Sequence, residues 1–255
     1  MLQVASRLVR RNGQAFHVLS GTNDQFWNSF EKHWERGTLE VFNQNFEPGG
    51  TFLDIGSWIG ATALYAASKG QRTICIEADP KALRELKTNI ALNPELEPLI
   101  TVIEKAIYPT KGVVQFGSRG QGGDSTSSFT HAHMTTTWSV ETVTPKDLRG
   151  IVGKPRHLFI KMDIEGGEYF VFPALIDAFR PLNPTIVLSL HAKFLPCGYV
   201  QRRQLSRHIF RACQGFRAER VRNAPRAFGG LRSLFARSGL SLCHPQGTWL
   251  LSQKT

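Results

Sequence analysis

The chain has 255 residues, of which 41% are hydrophobic and 20% charged, and its formal net charge is +11. This length is enough to bury a substantial core, and the composition excludes a wholly disordered, collagen-like or coiled-coil protein. No run approaches the ~20 apolar residues that a membrane-spanning helix needs.

The first 50 residues are predicted to form a helical segment. Residues 24–47 carry apolar residues at roughly helical spacing, with Asp24 as a possible N-cap. A Pro-Gly-Gly run at 48–50 then ends the helix.

From residue 51 onward, short apolar runs alternate with helical stretches. Strands are predicted at 51–55, 73–77, 100–106, 112–116, 138–143, 158–163, 184–190 and 248–252, and helices at 61–68, 81–92, 169–179, 200–214 and 227–237. This alternation indicates βαβ units in a mainly parallel sheet. A loop rich in Gly, Ser, Thr and His at 117–137 is long enough to suggest a functional role or disorder.

The turn after the first of these strands reads D-I-G-S-W-I-G, from Asp54 to Gly60. Glycine permits a sharp strand-to-helix turn, at the edge where parallel α/β sheets bind ligands. The order differs from the G-x-G-x-x-G of dinucleotide sites, and the carboxylate of Asp54 would repel a pyrophosphate but suits an ammonium group. S-adenosylmethionine (SAM) has an ammonium, a sulfonium and no phosphate, so the turn favours SAM. The alternative is a purely structural turn.

Glu77 ends the second strand, 21 residues after Gly56. An acidic residue at about this separation is placed to accept hydrogen bonds from both hydroxyls of a ribose. This disfavours a ligand with a 2′-phosphate but leaves NAD open. The alternative is a glutamate that faces solvent.

The strand at 158–163 leads into the sequence K-M-D-I-E-G-G-E. Alternation points Lys161, Asp163 and Glu165 to one side if the chain stays extended, and such crowding of charge is costly without a ligand or mutual pairing. The cluster is suited to general-base catalysis on a hydroxyl or to Mg²⁺ binding, with Asp163 as the ligand. The structural alternative is an acidic helix N-terminus, for Glu168 in particular.

His191 follows the strand at 184–190 and lies at the same rim of the predicted sheet. Histidine is the commonest general base near neutral pH, although a lone histidine is more often structural. His131 and His133 have H-x-H spacing without a clear third ligand, so they predict no metal site.

Four features together resemble the FkbM-type SAM-dependent methyltransferases. They are the D-x-G-x-x-x-G turn, the glutamate that ends the second strand, the G-D-S-T-S-S loop at 123–128 and, above all, I-K-M-D-I-E-G-G-E. The resemblance runs from about residue 37 to residue 191. The closing T-W-L-L-S-Q-K is similar to the last strand of a class I methyltransferase sheet.

The resemblance implies a class I methyltransferase Rossmann-like α/β fold over residues 51–255, with a seven-stranded, mainly parallel sheet and helices on both faces. The implied SAM-binding residues are Asp54, Gly56, Ser57 and Gly60 for the methionine part, Glu77 and Ala78 for the ribose, and Asp124 and Ser125 near the adenine or the site mouth. For catalysis we expect Asp163 or His191 as the base, with Lys161 and Glu165 holding the acceptor. Many relatives methylate a hydroxyl, so the expected acceptor is a small molecule or glycan. In this chain Trp58 stands where the family commonly has Asn.

The positive charge lies at one end of the chain. Residues 1–180 hold 19 basic and 19 acidic residues, whereas residues 181–255 hold 12 Lys and Arg against Glu219 alone. Ten of these are arginines between Arg202 and Arg237, in a segment expected to cap the sheet at about 193–240. Such a surface can attract an anionic partner. The alternatives are that the methyl acceptor is a nucleic acid or other polyanion, that the protein is a non-catalytic binding protein, or that the surface is merely solvated.

The cysteines and the N-terminus predict a cytoplasmic protein. No secretory signal is predicted, because the N-terminus lacks an apolar stretch followed by a small-residue cleavage site. The cysteines are scattered without a C-x-x-C pair, which is typical of reduced thiols. They are Cys75, Cys197, Cys213 and Cys243.

Overall fold

The computed structural model describes residues 5–118, 120–123, 125, 127–130, 134–195, 197–221 and 246–253. Several predictions fall outside these residues. They are the cofactor contact of Asp124, the interpretation of His131 and His133, the helix at 227–237 and four of the ten arginines, Arg222, Arg226, Arg232 and Arg237.

The described chain begins with a β-hairpin, which the sequence analysis did not predict. Strands β1 (Ser6–Arg11) and β2 (Gln14–Leu19) pair antiparallel. Asn12 and Gly13 form the turn between them, with φ of 48° and 78°. An Asn-Gly pair with both φ values positive is the preferred two-residue hairpin turn. The prediction of a wholly helical segment over residues 1–50 is therefore wrong for the hairpin.

Two helices follow the hairpin where one was predicted. Helix α1 spans Asp24–Lys32 and helix α2 spans Arg36–Asn45. Between them Glu35 takes a left-handed conformation with φ of 35°. Asn23, and not Asp24, is the N-cap of α1. The single predicted helix is therefore broken where Glu35 turns the chain.

The centre of the fold is a seven-stranded sheet. In spatial order, with labels numbered along the chain, its strands are β5 (Ile100–Ile103), β4 (Arg72–Ile76), β3 (Thr51–Ile55), β9 (Leu158–Met162), β10 (Thr185–His191), β12 (Gln246–Gln253) and β11 (Phe216–Arg220). Neighbouring strands are parallel from β5 to β10, and β12 runs antiparallel to both β10 and β11. The predicted mainly parallel sheet is confirmed. Strand β11 was not predicted.

Helices cover both faces of this sheet, as predicted. They are α3 (Ala61–Ser68), α4 (Pro80–Ala91), α5 (Pro145–Val152), α6 (Glu168–Phe179) and α7 (Tyr199–Ala212). Leu53 and Ile160 belong to a core with side chains of α5, α6 and α7. Their chain neighbours Phe52 and Phe159 belong to a core with the hairpin, α1, α2 and α3. Because successive residues of a strand face opposite ways, these strands bury both faces.

A smaller sheet lies beside the main one. It contains β6 (Ala106–Ile107), β8 (Thr136–Val143) and β7 (Val113–Ser118), in that order. The strand predicted over 100–106 therefore ends at Ile103, and the chain then joins the second sheet. None of the helices in the described ranges is long and apolar enough to cross a membrane.

Candidate active site

The glycine turn between β3 and α3 lies against the end of β9. Gly56 has φ of 83° and Gly60 has φ of 92°. A β-carbon on Gly56 would lie 2.0 Å from the carbonyl oxygen of Asp163. The protein's own backbone therefore requires glycine at this position, whatever the turn binds.

Asp54 is buried beneath this turn and is paired with Lys161. Its Oδ2 accepts a hydrogen bond from Thr62 Oγ1 at 2.7 Å, and its Oδ1 lies 3.3 Å from Lys161 Nζ. Lys161 Nζ also donates to the carbonyl of Gly56 at 3.2 Å. Burial raises the pKa of Asp54, and Lys161 and Thr62 act in the opposite direction. Burial lowers the pKa of Lys161, but Asp54 and Asp163 outweigh burial and raise it.

This ion pair bears on two predicted roles. Asp54 was expected to hold the methionine part of SAM and Lys161 to hold the acceptor, and each now has an oppositely charged partner inside the protein. Lys161 keeps its proton and balances the charge of Asp54. Both roles stay predictions.

Glu77 follows β4 and has its carboxylate at the cleft. Its Oε2 accepts the backbone N–H of Trp58 at 2.7 Å, and its Oε1 accepts the N–H groups of Ala78 and Asp79 at 2.8 Å each. Burial raises the pKa of Glu77, and these N–H groups oppose that effect. A carboxylate has about four acceptor positions, so this one keeps room for a ribose hydroxyl.

The long glycine- and serine-rich loop is tied to the same region. Asp79 Oδ2 accepts hydrogen bonds from Gly123 N and Ser127 Oγ, both at 2.6 Å. The indole N–H of Trp58 donates to the Gly123 carbonyl at 2.9 Å. Trp58 has φ of 48°, a conformation that asparagine adopts more readily than tryptophan. Ser125 of this loop lines the cleft.

These elements enclose a cleft with two compartments that share Gly56, Trp58, Ser125, Asp163 and Glu165. The first extends past Glu77 and Ala78 to the second sheet. The second lies between the glycine turn and the N-terminal helices. Its remaining lining residues are Phe26, Trp34, Glu35, Ser57, Ala61, Thr62 and Lys161.

Glu168 binds both the turn that follows β9 and the imidazole of His191, next to the carboxylates of Asp163 and Glu165. Glu168 Oε1 accepts the N–H of Ile164 at 2.9 Å, and its Oε2 accepts the N–H of Gly166 at 2.8 Å. His191 Nδ1 donates to Glu168 Oε1 at 3.0 Å. This bond directs Nε2 of the imidazole towards Glu165, 3.9 Å from its Oε2. Glu168 is fully buried, so it acts on the cleft through its neighbours.

Mutual electrostatics shift the pKa values of this cluster. Burial raises the pKa of Glu165 to about 8, with Asp163 and Glu168 adding to the effect and His191 opposing it. Burial lowers the pKa of His191, but Glu168, Asp163 and Glu165 outweigh burial and raise it to about 10. At neutral pH His191 is therefore an imidazolium, 3.7 Å from Asp163 Oδ1.

The same residues have a geometry that could hold a cation. Asp163, Glu165 and His191 each have a possible ligand atom within 4.8 Å of the others. Mg²⁺ prefers oxygen ligands and binds through one or two carboxylates, so Asp163 and Glu165, and not the imidazole, are the residues that would hold it.

Most of the predicted site residues meet at this edge of the sheet. Asp163, Glu165 and Lys161 line one compartment, although the strand ends at Met162 and Glu165 turns with φ of 53°. Sequence reasoning missed Glu35 as a lining residue, and it considered Glu168 only as a helix N-terminal acid. Glu35 lies outside every motif, so no local pattern marks it.

The sequence over residues 54–218 matches the family model of the methyltransferase FkbM domain. No protein of curated function matches the sequence.

Three solved structures show similarity at low identity. Methyltransferase FkbM from Methylobacillus flagellatus KT is 16% identical over 84% of this chain and 50% of that chain, with a TM-score of 0.47. Precorrin-6y C5,15-methyltransferase from Geobacter metallireducens is 13% identical over 87% and 88%, with a TM-score of 0.45. Fibrillarin from Aeropyrum pernix, solved with natively bound S-adenosyl-L-methionine, is 12% identical over 98% and 83%, with a TM-score of 0.44. The chain thus spans half the length of the first of these structures.

Proposed function

Because this chain belongs to the FkbM methyltransferase family, we propose that it transfers a methyl group from SAM to a hydroxyl oxygen of a small molecule or glycan in the cytoplasm. One observation carries the proposal. A single cleft joins Glu77, the glycine turn at Gly56 and the carboxylates of Asp163 and Glu165, with His191 directly behind them.

The chain's part in the reaction is chiefly to position two reactants. When bound, SAM would supply a methyl group on a sulfonium, and the neutral thioether of S-adenosylhomocysteine would leave. Glu77 would accept a ribose hydroxyl at its remaining acceptor position, and the glycine turn would lie along the rest of the cofactor. Holding an acceptor in line with the methyl group is worth up to ~7–11 kcal/mol in well-oriented systems.

A hydroxyl acceptor must lose its proton during the transfer. The carboxylate of Asp163 lines both compartments and is the group we assign to accept this proton. His191, held by Glu168, positions Asp163 and balances part of the negative charge.

Turnover is expected to rise with pH between about 7 and 9. The pKa of Glu165 is raised to about 8, so Glu165 is protonated below that pH and ionised above it. Ionisation adds negative charge next to Asp163 and favours proton uptake from the acceptor. A pH profile of kcat measures the rise, and Glu165→Gln should flatten it. A profile that stays flat in the unmodified protein over this range would refute the assignment.

Replacing Glu77 with glutamine is expected to weaken SAM binding roughly 10-fold, because an amide has one acceptor oxygen where the carboxylate has two and cannot serve both the backbone N–H groups and a ribose hydroxyl. Calorimetric titration measures the affinity, and exposed Glu97→Gln is the matched control. Glu77→Ala is a worse test, because it leaves three buried N–H groups unpaired, at about 1–3 kcal/mol each. Unchanged affinity in Glu77→Gln would remove Glu77 from the ribose role.

Within the described residues, the basic C-terminal segment provides no evidence for another function. Arg207, Arg211 and Arg217 are exposed, whereas Arg202 is bonded to the carbonyls of Cys197 and Leu195. None of the described arginines of this segment lines either compartment. An anionic partner at this surface and a polyanionic acceptor remain secondary proposals.

A further inference from the structure

The second compartment contains a carboxylate that the proposed mechanism does not use. Glu35 lies between α1 and α2 and lines this compartment together with Trp34 and Phe26. The first turn of α3 lines the same compartment through Ala61 and Thr62. The compartment thus has both a glutamate and the N-terminus of a helix in its lining.

Among the described residues, no ion pair within 4 Å includes Glu35. Lys161, the basic side chain of this compartment, is paired with Asp54 at 3.3 Å, and His191 is paired with the carboxylates of the K-M-D-I-E-G-G-E segment. Burial and the charge of Asp163 raise the pKa of Glu35 to about 7, although Lys161 and Thr38 act in the opposite direction. A cationic ligand group in the compartment would supply the missing partner.

The surrounding structure holds Glu35 in place. Its φ of 35° is a left-handed conformation, which non-glycine residues avoid unless the neighbouring structure imposes it. The guanidinium of Arg11, on the hairpin, donates to the carbonyls of Glu31 and Trp34 at 2.9 and 3.4 Å. The hairpin therefore fixes the chain immediately before Glu35, and such outliers concentrate at ligand sites.

We infer that Glu35 binds the ammonium group at the amino-acid end of SAM. The inference rests on the proposed function and moves the ammonium contact from Asp54, which is fully buried beside Lys161 and is not a lining residue of either compartment. The carboxylate of the same amino-acid end would lie at the first turn of α3, whose N-cap Gly60 provides no side-chain cap. The zwitterion and the compartment thus have complementary charges.

Calorimetric titration of the full chain at pH 8 tests this inference, because Glu35 is ionised there. The probes are S-adenosylhomocysteine, which has the amino-acid end, and 5′-methylthioadenosine, which lacks it. Glu35→Gln is expected to weaken S-adenosylhomocysteine binding roughly 10- to 100-fold, the effect of losing a charge-assisted hydrogen bond. The affinity for 5′-methylthioadenosine should not change.

Three further results decide whether Glu35 binds the ammonium group and whether the protein binds SAM-like ligands at all. Exposed Glu40→Gln, on the adjacent helix, should bind both probes like the unmodified protein. Equal loss of both probes in Glu35→Gln, or no loss of either, would overturn the role of Glu35 and leave the proposed function standing. If the unmodified protein binds neither probe, the proposed function itself fails. Thermal melting of each variant identifies a loss that comes from unfolding.

Discussion

Replacing Gly56 with alanine is expected to lower the free energy of unfolding by about 2–5 kcal/mol and to abolish cofactor binding. The left-handed φ of 83° costs a non-glycine residue about 1–2 kcal/mol. The added β-carbon would also meet the carbonyl oxygen of Asp163 at 2.0 Å. Backbone atoms relax less easily than side chains, so the clash adds about 1–3 kcal/mol. Any shift that relieves it moves Asp163 away from the cleft.

Gly70 provides a matched control for this substitution. It has φ of 76° and no atom within 4 Å of an added β-carbon. Gly70→Ala should therefore lower the free energy of unfolding by only about 1–2 kcal/mol, the cost of the left-handed backbone, and leave cofactor affinity unchanged. Urea denaturation and calorimetric titration of both variants separate the two effects. Equal stability losses in the two variants would contradict the packing of the turn against β9.

Asp163→Asn is expected to reduce turnover by about 10²- to 10⁴-fold, the usual effect of removing a general base. The side chain keeps its shape but can no longer take up the hydroxyl proton. SAM affinity should change only a few-fold, because Asp163 lies at the junction of the compartments and not beside Glu77.

A single-turnover assay and a titration of the same protein measure both quantities for this variant. Asp177, exposed on α6, provides the control variant Asp177→Asn, which should retain full activity. If Asp163→Asn turns over at the normal rate, Asp163 is not the base. A parallel loss of SAM affinity would instead make Asp163 a binding residue.

The central strands were predictable because they are buried on both faces. All five residues of β3 and of β9 are buried, and apart from Thr51, Asp54 and Lys161 they are apolar. Runs this short, bounded by turn residues, are typical of buried parallel strands. The glycine turn and Glu77 follow from these strands, because parallel strands bring their carboxyl ends to one edge.

The N-terminal hairpin was missed although its signal is present. Asn12-Gly13 separates two short runs of β type, which is the strongest short-range pattern for a hairpin. Helix α5 has a comparable signal, since Thr144 and Asp147 form a capping box at its start. The signals for these two elements lie in their turn and cap residues. Hydrophobic periodicity, on which the predictions relied, does not detect them.

Glu35 and the pairing of Glu168 with His191 could not be read from the sequence. Glu35 reaches the cleft only because the hairpin and α1 pack onto the same face of the sheet as α3. Glu168 and His191 are 23 residues apart and meet through two neighbouring strands. Contacts of this kind depend on tertiary packing, which no local period or spacing encodes.

Calorimetric titration of the purified protein with SAM decides whether the cleft binds this cofactor, with S-adenosylhomocysteine and NAD as comparisons. We expect saturable binding of SAM and S-adenosylhomocysteine and no binding of NAD. Binding of NAD alone would contradict the assignment of the cleft to SAM. Binding of none of the three would indicate a non-catalytic protein and direct attention to the basic C-terminal segment.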